Sequence, residues 1–200
     1  MTHSPRGQRR VSRSWPGGLL VAMLVLAAPA VAQVPESAEE GVARAKTDEL
    51  ALLLNRARVE AGVKPLLRHA ALDTAAGLHS REMAEQGGLD HTAADGSGPM
   101  DRAIGSGYDA RPGTGWIVVE VISAISAEPR GPLDWWLATS PAVHGRVLRD
   151  PRWREVGVGY AAGGPYGHYW TVLVGCQPGV LPEVVLDGER YQHTEACAPA

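Results

Sequence analysis

The stretch S140-P-A-V-H-G-R-V-L-R-D-P-R-W-R-E-V-G-V-G-Y160 changes its period partway along. Up to Leu148 the apolar residues follow helical spacing, interrupted near Ser140-Pro141. From Glu155 the pattern becomes Val-Gly-Val-Gly-Tyr, the period-two alternation of a strand. A helix-to-strand switch this short fixes two consecutive elements. It also raises a question: do His144, near the helix break, and Glu155, at the mouth of the strand, share a site?

Working outward, His168 to Val174 reads as a second strand, separated from Glu155–Ala161 by Gly163-Gly164-Pro165-Tyr166-Gly167, a hairpin connection. Trp116 to Ile125 is rich in Val and Ile and reads as another strand. Toward the N-terminus, Leu50, Leu53, Leu54 and Ala57 follow helical spacing behind Thr47, read as the N-cap. Leu72, Ala75, Ala76, His79 and Met83 share one face of a second helix that ends at Gly87-Gly88. Lys64 to Leu67 reads as an extended connector, Met100 to Gly105 as a short helix, and Arg111 to Gly115 as irregular. Helices mixed with a small antiparallel sheet give an α+β layered domain.

The first 32 residues stand apart. Arg6, Arg9, Arg10 and Arg13 precede the apolar run Leu19–Ala28, and Ala30-Val31-Ala32 ends it. That order is the signature of a secretory signal peptide, too short for a membrane span of ~20 residues. The expected mature chain starts at Gln33, with residues 33–46 as a polar linker and no transmembrane anchor. Cleavage removes four positive charges from a chain whose formal net charge is −3. An acidic mature surface argues against nucleic acid, whose phosphates need a basic partner. Cys176 and Cys197 are the only cysteines. Between them Asp187-Gly188 is a two-residue hairpin signal. The hairpin would bring its flanks together, and an exported chain permits a disulfide there.

Standard local catalytic signatures are missing. The chain has no Gly-rich phosphate loop, no His-Glu-x-x-His helix, no Gly-x-Ser-x-Gly elbow and no Cys-x-x-Cys. Any site must therefore be assembled from distant residues.

Four stretches in order carry a resemblance: L53-L-N-R-A-R-V-E-A-G-V-K-P-L-L-R-H-A-A-L72, H79-S-R-E-M-A-E-Q-G-G-L-D-H-T-A-A-D-G96, the segment from Trp135 through Tyr160, and Y169-W-T-V-L-V-G175. Together they resemble exported bacterial members of the CAP superfamily, the group of cysteine-rich secretory proteins, antigen 5 and pathogenesis-related class 1 proteins. The resemblance covers 47–175 and leaves 176–200 as a C-terminal hairpin extension. It implies an α-β-α sandwich. It also implies a central cleft of two histidines and two acids, matched here by His91, His144, Glu155 and Glu120. Glu120 stands in I-V-V-E-V-I-S without the Gly and Asn that usually flank the family's acid. One residue, Ala142 or Val143, is inserted between Ser140-Pro141 and His144.

Two neutral imidazoles, His91 and His144, suit a borderline divalent ion such as Zn²⁺, with carboxylates holding its waters. The resemblance implies a secreted, non-catalytic binding module for a small apolar ligand or an extracellular partner protein. The alternative is a metal-assisted hydrolase in which Glu155 or Glu120 activates water. Other residues have plainer readings. His79 is a packing histidine, His168 a rim residue, and one of Trp135 and Trp136 is core while the other covers the cleft edge. Ser140 has no partner in sequence that marks it as a nucleophile, and His193 falls in the tail.

Overall fold

The computed structural model describes residue 1, residues 37–109 and 118–195, and residue 197. The signal-peptide reading, the start of the 33–46 linker and the irregular stretch 111–115 lie outside the described residues. Elements follow in the order α1 (Ala38–Glu60), β1 (Leu67–Arg68), α2 (Ala70–Gln86), α3 (Pro99–Gly105), β2 (Val119–Ser123), α4 (Arg130–Asp134), α5 (Arg146–Arg149), β3 (Glu155–Gly163), β4 (Gly167–Gly175), β5 (Glu183–Leu186) and β6 (Glu189–Gln192). Two π-helical turns, Trp135–Thr139 and Pro141–Gly145, join α4 to α5.

The domain is α+β. Its sheet runs β1-β3-β4-β2. The expected all-antiparallel sheet is corrected in one respect: β1 pairs with β3 in parallel, so the sheet is mixed. The connector at Leu66-Leu67 is drawn into the sheet by Asn55. Its buried amide donates to the Leu66 carbonyl at 2.9 Å, and its Oδ1 accepts the Leu66 N–H at 2.8 Å.

A second correction concerns α1, which begins at Ala38 rather than Thr47. Ser37 and Glu40 form a reciprocal capping box. None of residues 41–46, between them and Thr47, is buried, so they need no apolar period. Ala43, Arg44, Ala45 and Lys46 among them are good helix formers. Thr47 is buried and bonds back to the Arg44 carbonyl.

Alternation along the strands sorts the core into two layers. Val121, Val156, Val158, Trp170, Val172 and Val174 face Leu50, Leu54, Leu133, Trp136 and Leu148 on one side. Leu173 faces Leu72, Ala75 and Ala76 of α2 on the other. Gly157 and Gly159 let α2 lie almost on the strand. A Cβ on Gly157 would collide with the Leu72 backbone, and one on Gly159 with the backbone of Ala76. The Val-Gly-Val-Gly run is thus a docking track for a helix.

The C-terminal hairpin forms as expected. Asp187 and Gly188 both take positive φ, 50° and 88°, as a type I′ turn requires. Cys176 and Cys197 are disulfide-bonded with Cα atoms 6.0 Å apart.

Candidate functional site

Glu120 lies on the outer strand β2. It pairs with Leu173, which pairs in turn with Gly157, so Glu120 points to the α2 side of the sheet. Its side chain is 1% exposed. An isolated buried carboxylate is costly, and here it is met by partners from three elements. His91, in the loop after α2, places Nδ1 2.9 Å from Oε1. Arg102 of α3 donates from a terminal guanidinium nitrogen to Oε2 at 2.7 Å. His79 of α2 lies behind, with Nε2 3.6 Å from Oε1 and 2.8 Å from the Asp90 carbonyl.

Arg102 also shapes the loop that carries His91. Its other terminal nitrogen donates to the carbonyls of His91 at 3.1 Å and Ser97 at 2.8 Å. The loop is further tied by the Ala94 N–H to Glu82. One buried guanidinium therefore neutralises Glu120 and holds the His91 backbone. His91 itself is half exposed, and with Nδ1 on Glu120 its Nε2 is the nitrogen left for a ligand. The Glu120 hydrogen bond, more than burial opposes it, pushes the His91 pKa up from its ordinary value.

His144 comes from the opposite helical layer, on the second π turn. Its Nδ1 is 2.8 Å from Ser140 Oγ, and its ring rests against Trp135 at 5.1 Å between centroids. These two contacts leave Nε2 as its remaining nitrogen. The inserted residue falls in the second of these wide turns. With four residues from Ser140 to His144, the Gly145 N–H closes a five-residue bond to the Ser140 carbonyl at 3.1 Å. π turns of this kind gather at functional sites. Burial, then the charge of His91, lowers the His144 pKa. Buried Arg58 anchors the far end of this helical segment by donating to the carbonyls of Leu148 and Asp150.

The structure brings His91 to Glu120. It places Glu155 elsewhere. Glu155 is 1% exposed and accepts a 2.6 Å hydrogen bond from the Tyr108 hydroxyl. It points to the same side of the sheet as Glu120, but β4 with Leu173 intervenes, and Leu72 packs over Gly157 between them. Burial raises the Glu155 pKa against the pull of Tyr108 and His69. The answer to the opening question is that His144 and Glu155 sit in separate environments. The acid beside the histidines is Glu120.

Among the other residues, Trp136 is fully buried and bonds the Ile122 carbonyl, while Trp135 covers His144. His168 bonds the Tyr160 hydroxyl at 2.8 Å, away from the cleft. Arg102 was not legible as a site residue. Its only signal is its place in P99-M-D-R102, one turn into a helix that follows the His91 loop.

Among the described residues no three His, Cys, Asp or Glu side chains gather around one point to hold a metal ion. His91 and His144 each keep Nε2 outside the contacts described above, and His91 is backed by a carboxylate in the manner of metal-ligating histidines. That chemistry fits an open, exchangeable ion whose other positions are water, not a closed structural site.

Residues 52–174 match the family model described as CAP, cysteine-rich secretory protein family. The chain belongs to the CAP family. Solved structures agree on the fold. An outer surface protein of Borrelia burgdorferi aligns with a TM-score of 0.56 at 18% identity, over 66% of this chain and 92% of that one. An extracellular SCP-domain protein of Bacillus anthracis gives 0.57 at 17%, over 71% and 45%. A cysteine-rich secretory protein of Staphylococcus aureus gives 0.51 at 13%, over 66% and 38%. The CAP chain therefore spans less than half of the latter two. No curated protein matches it in sequence.

Proposed function

We propose that this CAP protein is an exported binding module. Its cleft, formed by His91, His144 and the buried Glu120, holds a divalent ion such as Zn²⁺ or a small apolar ligand without covalent chemistry. The observation that carries this reading is the burial of Glu120, whose side chain is closed to water and whose two oxygens are engaged by His91 and Arg102. A general base needs a carboxylate free to accept a proton from water. Glu120 is committed to Arg102, and Glu155 is buried against Tyr108, which weighs against the metal-assisted hydrolase. What remains toward solvent is recognition chemistry: two imidazole edges and the Trp135 ring. Export is supported by the basic, apolar, small-residue order of the first 32 residues. It is also supported by the surface or extracellular descriptions of two structural neighbours. Among the described residues no helix is long and apolar enough to cross a membrane.

The test is calorimetric titration of the mature domain with Zn²⁺, beside mass spectrometry of any co-purified small molecule. His91→Ala or His144→Ala should each weaken Zn²⁺ binding at least tenfold, and His168→Ala should leave it unchanged. Because His91 must be neutral to bind, affinity should fall as pH drops through a midpoint above about 6.5. Equal binding by all three variants, with no co-purified ligand, would defeat the proposal.

A further inference from the structure

The C-terminal segment lies beyond the residues matched by the family model, yet it is lashed to the corner between α1 and β1. Arg56 of α1 pairs with Asp187 through two hydrogen bonds. Lys64 donates to the Gln192 carbonyl at 2.8 Å. Arg154 at the mouth of β3 donates twice to the Glu195 carbonyl. At the centre is His193, 2% exposed, with Nε2 2.8 Å from the Pro65 carbonyl. A carbonyl only accepts, so Nε2 carries a proton in the docked ring, and a second proton could go only on Nδ1. Every charged group acting on it is cationic: Arg58 from α1, Lys64 from the α1–β1 connector and Arg154 from β3. Glu195, the acid nearest along the tail, meets Arg154 through its backbone carbonyl.

We propose that residues 183–195 form an acid-sensitive strap, released from the α1–β1 corner when His193 is protonated, while the Cys176–Cys197 bond keeps the chain beyond it tethered. A second ring proton would place a fourth positive charge among three, out of reach of water. Once the strap is free, His193 takes the proton in solvent at its ordinary value. Burial is the main cause holding the docked ring below that value; the Pro65 carbonyl pulls the other way, and Arg154, Lys64 and Arg58 add to the lowering. The sign follows. The released form binds more protons, so docking is favoured above about pH 6.5 and is lost as pH falls below it. The loss is up to about tenfold in the docked-to-released ratio per pH unit, until the docked ring itself protonates. Between pH 5 and 7.5 the carboxylate of Asp187 stays ionised, since Arg56 holds it below its ordinary range. Release would uncover the Pro65 carbonyl and free Arg56, Lys64 and Arg154 from their partners on the strap, so acid would make this corner a more basic surface.

The experiment is hydrogen exchange with mass spectrometry on the disulfide-intact mature protein from pH 7.5 to 5, corrected for intrinsic rates. Protection of 183–195 should fall by up to about tenfold per unit below 6.5, while that of β3 and β4 holds. His193→Gln keeps an N–H for the Pro65 carbonyl but cannot titrate, so its strap protection should be flat with pH. A titration of the wild-type His193 ring by NMR needs no variant and should give a midpoint below 6.5. A midpoint at or above 6.5, wild-type protection that does not change with pH, or the same pH dependence in His193→Gln would overturn the proposal.

Discussion

At the residue scale the account turns on Glu120. A buried carboxylate with a guanidinium on one oxygen and an imidazole on the other does two things. It fixes which nitrogen of His91 faces outward, and it stabilises the protonated ring. His91→Ala would only remove the ligand, whereas Glu120→Gln separates the roles. An amide cannot stabilise an imidazolium as a carboxylate does. The His91 titration followed by NMR should move from above 6.5 in the parent to 6.5 or below in Glu120→Gln. The sign in stability runs the same way. A raised folded value contributes stability below about pH 6.5 that fades as pH rises through the folded value, and Glu120→Gln removes that contribution. Glu120 is legible in sequence only through a resemblance, because one acid in a Val/Ile strand reads nearly as well as an ordinary buried strand residue. Arg102 was missed because nothing in P99-M-D-R102 says that its side chain turns inward. The resemblance puts Glu155 in the cleft while the structure sets it against Tyr108, for a related reason. Alternation gives the face of a strand, but not how far along the sheet a neighbour sits.

At the element scale two sequence features become legible only in three dimensions. The extra residue between Ser140 and His144 looks like a displacement of the histidine. The chain absorbs it as π turns, which bring His144 back to Ser140 and Trp135. The glycines in Val-Gly-Val-Gly look like loose strand positions but are the contact surface for α2. Gly157→Ala should therefore cost about 3 kcal/mol, the upper part of the range for overpacking, because the obstacle is the Leu72 backbone rather than a side chain that can swing away. Denaturant unfolding measures it. A loss under about 0.5 kcal/mol would show that α2 shifts freely. The helices and the β3–β4 hairpin were readable because their apolar periods run long. The first turns of α1 were not, since an exposed helix stretch carries no apolar period and only its capping box marks the start.

At the scale of the whole molecule, the CAP core and its C-terminal hairpin are joined by one covalent link and several polar ones. The disulfide closes a loop with a sequence separation of 21 residues. Replacing Cys176 and Cys197 together with serine should lower stability by about 3 kcal/mol on the chain-entropy model. Thermal unfolding of the oxidised parent against the double variant checks this, and identical curves would remove the link from the account. The layered fold itself puts the two histidines where they are. His91 arrives from the α2–α3 layer and His144 from the α4–α5 layer, and outer strand β2 carries the acid between those layers. The claim that both histidines serve one cleft is tested most directly by a double-mutant cycle on Zn²⁺ affinity, using His91→Ala, His144→Ala and the double variant. Shared ligation predicts strong coupling, with the double variant binding no more weakly than about the worse single one. Losses that simply add, or the absence of any saturable binding in the parent, would contradict it.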